Sequence, residues 1–102
     1  MNYPLRIFGT LREVDPAGPL NLKTEGLHLE RSGSVLEIEY EGPYMDVEEL
    51  LETLACQVQE NTYGHVDCID HLDWMVYRYQ LLQRKWQVEH VNPDAVLEGY
   101  KY

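Results

Sequence analysis

Only two cysteines, Cys56 and Cys68, occur in the 102 residues, too few for the disulfide framework on which small secreted domains depend. No stretch approaches the ~20 consecutive apolar residues of a membrane-spanning helix. The opening Met1-Asn2-Tyr3-Pro4-Leu5-Arg6 carries no basic head followed by an apolar run, which predicts no secretory signal. A reducing cytoplasm is the compartment these absences point to. Glycine-rich phosphate loops, G-x-S-x-G and H-E-x-x-H are all missing, which removes the common motif-borne enzyme classes. The expectation is therefore a non-catalytic protein, with no cofactor.

Basic residues are missing over one long interval as well. Between Arg31 and Arg78 there is no Lys or Arg, and this interval holds eleven acids: Glu37, Glu39, Glu41, Asp46, Glu48, Glu49, Glu52, Glu60, Asp67, Asp70 and Asp73. The flanks nearly cancel, so the overall charge of −10 is carried by the middle of the chain. Such a field repels nucleic acid and anionic lipid and attracts cationic surfaces. Direct DNA or RNA binding and membrane association are disfavoured; a basic protein partner is favoured.

What is present argues for one folded domain over residues 1–102. An apolar fraction of 44% excludes a disordered chain despite the charge. Tyr3 to Val14 alternates as a strand softened at Gly9. Asp15-Pro16-Ala17-Gly18-Pro19 has turn chemistry. A second strand starts at Leu20-Asn21-Leu22 or resumes at Leu27-His28-Leu29-Glu30. After the turn Arg31-Ser32-Gly33-Ser34, Val35 to Glu41 alternates strictly: Leu36, Ile38 and Tyr40 inward, Glu37, Glu39 and Glu41 outward.

Gly42-Pro43 ends that strand, and Asp46-Val47-Glu48-Glu49 resembles a capping box. Val47, Leu50, Leu51, Leu54 and Val58 share one helical face, which predicts a helix over about 46–60. Residues 72–91 fit two strands better than one helix, because a helix leaves Trp74, Tyr77, Leu81 and Val88 on the wrong side. Against the strands, Leu82-Gln83-Arg84-Lys85 lacks the Gly or Asn of a tight hairpin. Asn92-Pro93-Asp94 begins a short C-terminal helical turn over 95–98. The fold class expected is α+β: an antiparallel sheet of four or five strands with the 46–60 helix on one face.

Two groups of residues carry functional expectations. In His65-Val66-Asp67-Cys68-Ile69-Asp70-His71, two histidines flank a cysteine at three-residue steps. His65, Cys68 and His71 make a zinc site conceivable, although structural zinc sites usually come as two separated ligand pairs. The competing reading is a turn pinned to the core by Val66, Ile69 and Leu72. Carboxylates around Cys68 raise its thiol pKa and oppose a nucleophilic role. A Cys56–Cys68 bridge across the Gly64 turn requires Cys68 to reach the outer side of the helix.

The other group is the run of acids. Glu37, Glu39 and Glu41 on the strand and Glu48, Glu49 and Glu52 on the helix form an expected anionic wall for a basic partner. An inhibitor, an immunity-like factor, an adaptor or a nucleic-acid mimic would carry such a wall; a metal-binding domain is the alternative. Exposed aromatics among Tyr44, Tyr63, Trp74, Tyr77, Tyr100 and Tyr102 would add contact area.

Overall fold

The computed structural model describes residues 4–18, 20–22 and 24–91. Among these residues, six strands and one helix follow in chain order: β1 (Leu5–Arg12), β2 (His28–Ser32), β3 (Val35–Gly42), α1 (Val47–Gln57), β4 (Tyr63–Asp70), β5 (Met75–Leu82) and β6 (Lys85–Val91). They form one antiparallel sheet in the order β2-β3-β1-β4-β5-β6. The fold is α+β with the helix on one face, as expected, but the sheet has six strands rather than four or five.

The additional strand is β4. Residues 63–70 are not a docking turn; they pair with β1 on one side and β5 on the other. Close approach of β1 and β4 depends on glycine. A side chain at Gly64, where φ is +146°, would collide with the Thr10 carbonyl, and one at Gly9 with the His65 carbonyl. Of the earlier segment, Leu20 and Leu22 are not strand; both pack against the core from a loop.

The main core lies between sheet and helix. Ile7 and Leu11 of β1, Leu36, Ile38 and Tyr40 of β3, and Val66 and Cys68 of β4 meet Leu50, Leu51, Leu54 and Ala55 of α1. At about 25 cal/mol per Å² of apolar surface removed from water, each fully buried leucine here is worth about 2 kcal/mol. The helix starts where expected: Asp46 Oδ1 accepts a 3.1 Å hydrogen bond from the Glu49 amide, satisfying one of the open N-terminal donors. It ends at Gln57, three residues before Glu60.

Residues 75–91 are two strands. Their turn, Gln83-Arg84, has both residues left-handed, at φ 51° and 59°, the geometry for which Asn-Gly is usual. The Arg84 Nε donates to the Val58 carbonyl at the end of the helix, at 2.9 Å, and this contact holds the turn without a glycine. Trp86 Nε1 donates to the Leu51 carbonyl at 2.7 Å, so β6 is also tied to α1. The C-terminal turn expected at 95–98 lies outside the described residues.

Candidate functional site

β4 settles the geometry of the histidine–cysteine segment. Successive side chains of a strand point to opposite faces, so His65 and Cys68 lie on opposite sides of the sheet. His65 is exposed opposite Thr10, while Cys68 is buried against α1 opposite Ile7. His71 follows in the β4–β5 turn, its ring 6.2 Å from that of Trp74. Among the described residues no group of three His, Cys, Asp or Glu side chains converges as metal ligands. The zinc expectation at His65, Cys68 and His71 is corrected accordingly.

Cys68 is also corrected as a partner for Cys56. Both thiols are free, Cys56 exposed and Cys68 buried, with the helix between them. Burial, then the charges of Asp70 and Asp67, push the Cys68 thiol up to about 11. This is an inert core thiol.

The acids divide by a simple packing rule. The inward faces of β3 and α1 pack against each other, so their polar faces must point in opposite directions. Glu37, Glu39 and Glu41 therefore lie on the side of the sheet away from the helix; Glu48, Glu49 and Glu52 face solvent beyond the helix. One continuous wall of all six residues is not formed. On the strand side the charge is partly offset. Arg6 lies 3.9 Å from Glu39, and both line a shallow depression of about 420 Å³ with His28 and His65.

Asp67 leaves the acidic surface altogether. It is fully buried, and Arg78 grips it with two hydrogen bonds, Nε to Oδ1 at 2.8 Å and Nη2 to Oδ2 at 3.1 Å. Beside this pair, Ile69 and Val76 form a second small core with Phe8 and Val91, on the face opposite the helix.

The two acidic sets meet in one place. At the end of β3 the chain turns through Pro43, Tyr44, Met45 and Asp46 into α1, opening a groove of about 810 Å³ against residues 21, 22 and 24–26. Leu22, Tyr40, Met45 and Leu50 supply its apolar surface, and the exposed residues Glu25, Glu41, Asp46 and Glu49 line it as well, Glu41 next to the end of β3. None of the described residues lining it is basic, and none of these four acids has a basic group within 4 Å among the described residues. The loop wall is fixed by Gln57, whose side chain accepts from the Asn21 amide at 2.5 Å and donates to the Asn21 carbonyl at 2.9 Å. Tyr40 also helps to shape the groove: its hydroxyl donates to the Pro43 carbonyl at 2.6 Å. Burial, and then the charge of Glu25, push its pKa up.

No protein-family model matches the chain, and no curated protein or solved structure shows significant similarity to it. A fixed, apolar-walled groove with an anionic rim suits a side chain that is aliphatic along its stem and cationic at its tip, which describes lysine and arginine. The sequence located Glu41 and Glu49 but not Glu25, whose part depends on how residues 24–26 lie against the sheet end. No helix among the described residues is long and apolar enough to cross a membrane.

Proposed function

We propose that this protein is a small acidic binding module that engages a basic protein surface, without catalysis, as an inhibitor, adaptor or nucleic-acid mimic does. The observation that carries this is the groove: Glu41 from the strand set and Glu49 from the helix set both line it, together with Glu25, Asp46 and an apolar interior. A lysine or arginine inserted there buries its methylenes and meets carboxylates contributed by three segments of the chain. Glu37 and Glu39, and Glu48 and Glu52, extend the anionic field on the two sides and steer the partner towards this end.

Screening gives the test. The Debye length falls from about 10 Å at 0.1 M salt to about 3 Å at 1 M, so the complex must weaken steeply over that range. Immobilised wild-type chain is expected to retain basic proteins from a lysate at 50 mM salt and release them at 1 M. A Glu41→Gln/Glu49→Gln variant, equally folded by circular dichroism, is expected to retain far less. Equal retention by the variant, or retention indifferent to salt, refutes the proposal.

A further inference from the structure

Beside the groove stands an exposed cluster of large side chains that the acidic rim does not account for. At the β4–β5 tip Leu72 is 73% exposed and Trp74 43%, and Tyr44, from the neighbouring linker, is 53% exposed. Large exposed apolar side chains gathered in one region mark interaction sites more often than scattered single ones do. The backbone that carries the cluster is also fixed in place. One carboxylate oxygen, Asp70 Oδ1, accepts hydrogen bonds from the Leu72 amide at 3.0 Å, the Asp73 amide at 3.1 Å and the Tyr44 hydroxyl at 2.7 Å. The His71 amide donates to the Pro4 carbonyl at 2.8 Å. Trp74 itself is left-handed, at φ 54°, a conformation uncommon for a bulky residue.

We infer that this tip is the second anchor of the same interface, receiving an arginine-bearing, partly apolar segment of the basic partner next to the groove. The inference rests on the groove reading above and adds a surface to it. Tyr44 joins the two, since its neighbours Pro43 and Met45 line the groove while its hydroxyl is bonded to the tip. Tryptophan, tyrosine and arginine are the residues that dominate binding energy at interfaces, and a tip already fixed costs little further ordering on binding. Charge chooses the occupant. A second copy of a chain carrying −10 is repelled, whereas a guanidinium is attracted by Asp73 and stacks on the Trp74 ring.

The test titrates the 15N-labelled full chain with the blocked hexapeptide acetyl-Arg-Leu-Gly-Arg-Leu-Gly-amide at 50 mM salt. A peptide with citrulline for arginine is the neutral control. The Trp74 indole N–H and the groove amides of Thr24, Gly26, Met45 and Thr53 are expected to shift together with one affinity, and not with the control. Trp74→Asn removes the ring while keeping a residue that tolerates the left-handed backbone. It is expected to weaken the affinity read at the groove amides roughly tenfold, with unfolding temperature nearly unchanged. Groove shifts of unaltered affinity in Trp74→Asn overturn the tip as an anchor and leave the groove standing. An indole signal that moves with protein concentration alone assigns the tip to self-association and overturns it too. No saturable shift anywhere overturns both the tip and the groove.

Discussion

Replacing Arg78 by methionine tests how firmly the face opposite the helix is built. Asp67 has no solvent exposure, and the Arg78 side chain is 32% exposed. The bidentate bonds of 2.8 and 3.1 Å are those of a charge-assisted pair. Methionine keeps much of the stem's packing against the sheet and removes the charge that compensates the carboxylate. Breaking one side of a buried pair costs about 3–5 kcal/mol, chiefly through the charge left behind. A domain of this size holds about 5–15 kcal/mol in total, so a large share of its stability is at stake. At about 4–8 °C per kcal/mol, the unfolding temperature falls by roughly 12–40 °C. Asp67→Leu/Arg78→Met, which removes both charges, is expected to recover most of the loss, because replacing a buried pair with apolar groups is often close to neutral. Urea unfolding of wild type, the two single variants and the double variant completes the cycle. A loss below about 1 kcal/mol for Arg78→Met refutes the reasoning, as does a double variant no more stable than the single.

Thiol labelling of the native chain at pH 8 is expected to modify Cys56 rapidly and to reach Cys68 only after denaturant, since one is exposed and the other sits in the core with its pKa near 11; two fast equivalents would place Cys68 elsewhere. Tyr44 gives the pH prediction: the hydrogen bond it donates to Asp70, reinforced by desolvation and nearby carboxylates, raises its pKa to about 12. The folded state thus favours the protonated phenol, so this contribution is complete below the ordinary tyrosine value of 10 and disappears as the pH rises from 10 towards 12. For Asp70, burial alone raises the pKa, but the bonds from Tyr44, Asp73 and Leu72 outweigh it and the net shift is downward. Its contribution is present above the normal carboxylate range and is lost as acid titrates through the lowered value. Carbon-13 titration of labelled tyrosine should show Tyr44 near 12 in wild type and displaced towards 10 in Asp70→Asn; an unmoved midpoint would detach the two residues.

Elements whose burial is one-sided were legible from sequence. β3 shows its alternation residue by residue, and α1 shows both its cap and its apolar stripe, because each has one wet face and one dry face. β4 was not legible, because Val66, Asp67, Cys68 and Ile69 are all buried. A buried aspartate in a strand makes sense only with its partner, and Arg78 stands eleven residues away, visible as a neighbour only once β5 pairs with β4. The apolar spacing of Val66, Ile69 and Leu72 imitated a turn, although Leu72 turns out to be 73% exposed. The β5–β6 hairpin was legible from its side-chain pattern, but its turn spoke against it for a related reason: Gln83-Arg84 is held by a bond from Arg84 to the helix end, not by turn-forming residues.

The division of the acids, by contrast, was implicit in the same patterns that revealed the elements. If the apolar faces of β3 and α1 share one core, the carboxylates opposite them cannot share one surface. Two layers with outward charge can bring those charges together only where the chain passes from one to the other. Here that passage is the short linker from Pro43 to Asp46, and the groove lies beside it. A partner lying flat on either layer meets half of the anionic set, with Arg6 opposing it on the strand side. A partner at the linker meets Glu41 and Glu49 together. Short β-to-α connections between amphipathic layers thus concentrate charge at their crossing point, and the site follows from the connectivity as much as from the acid-rich composition.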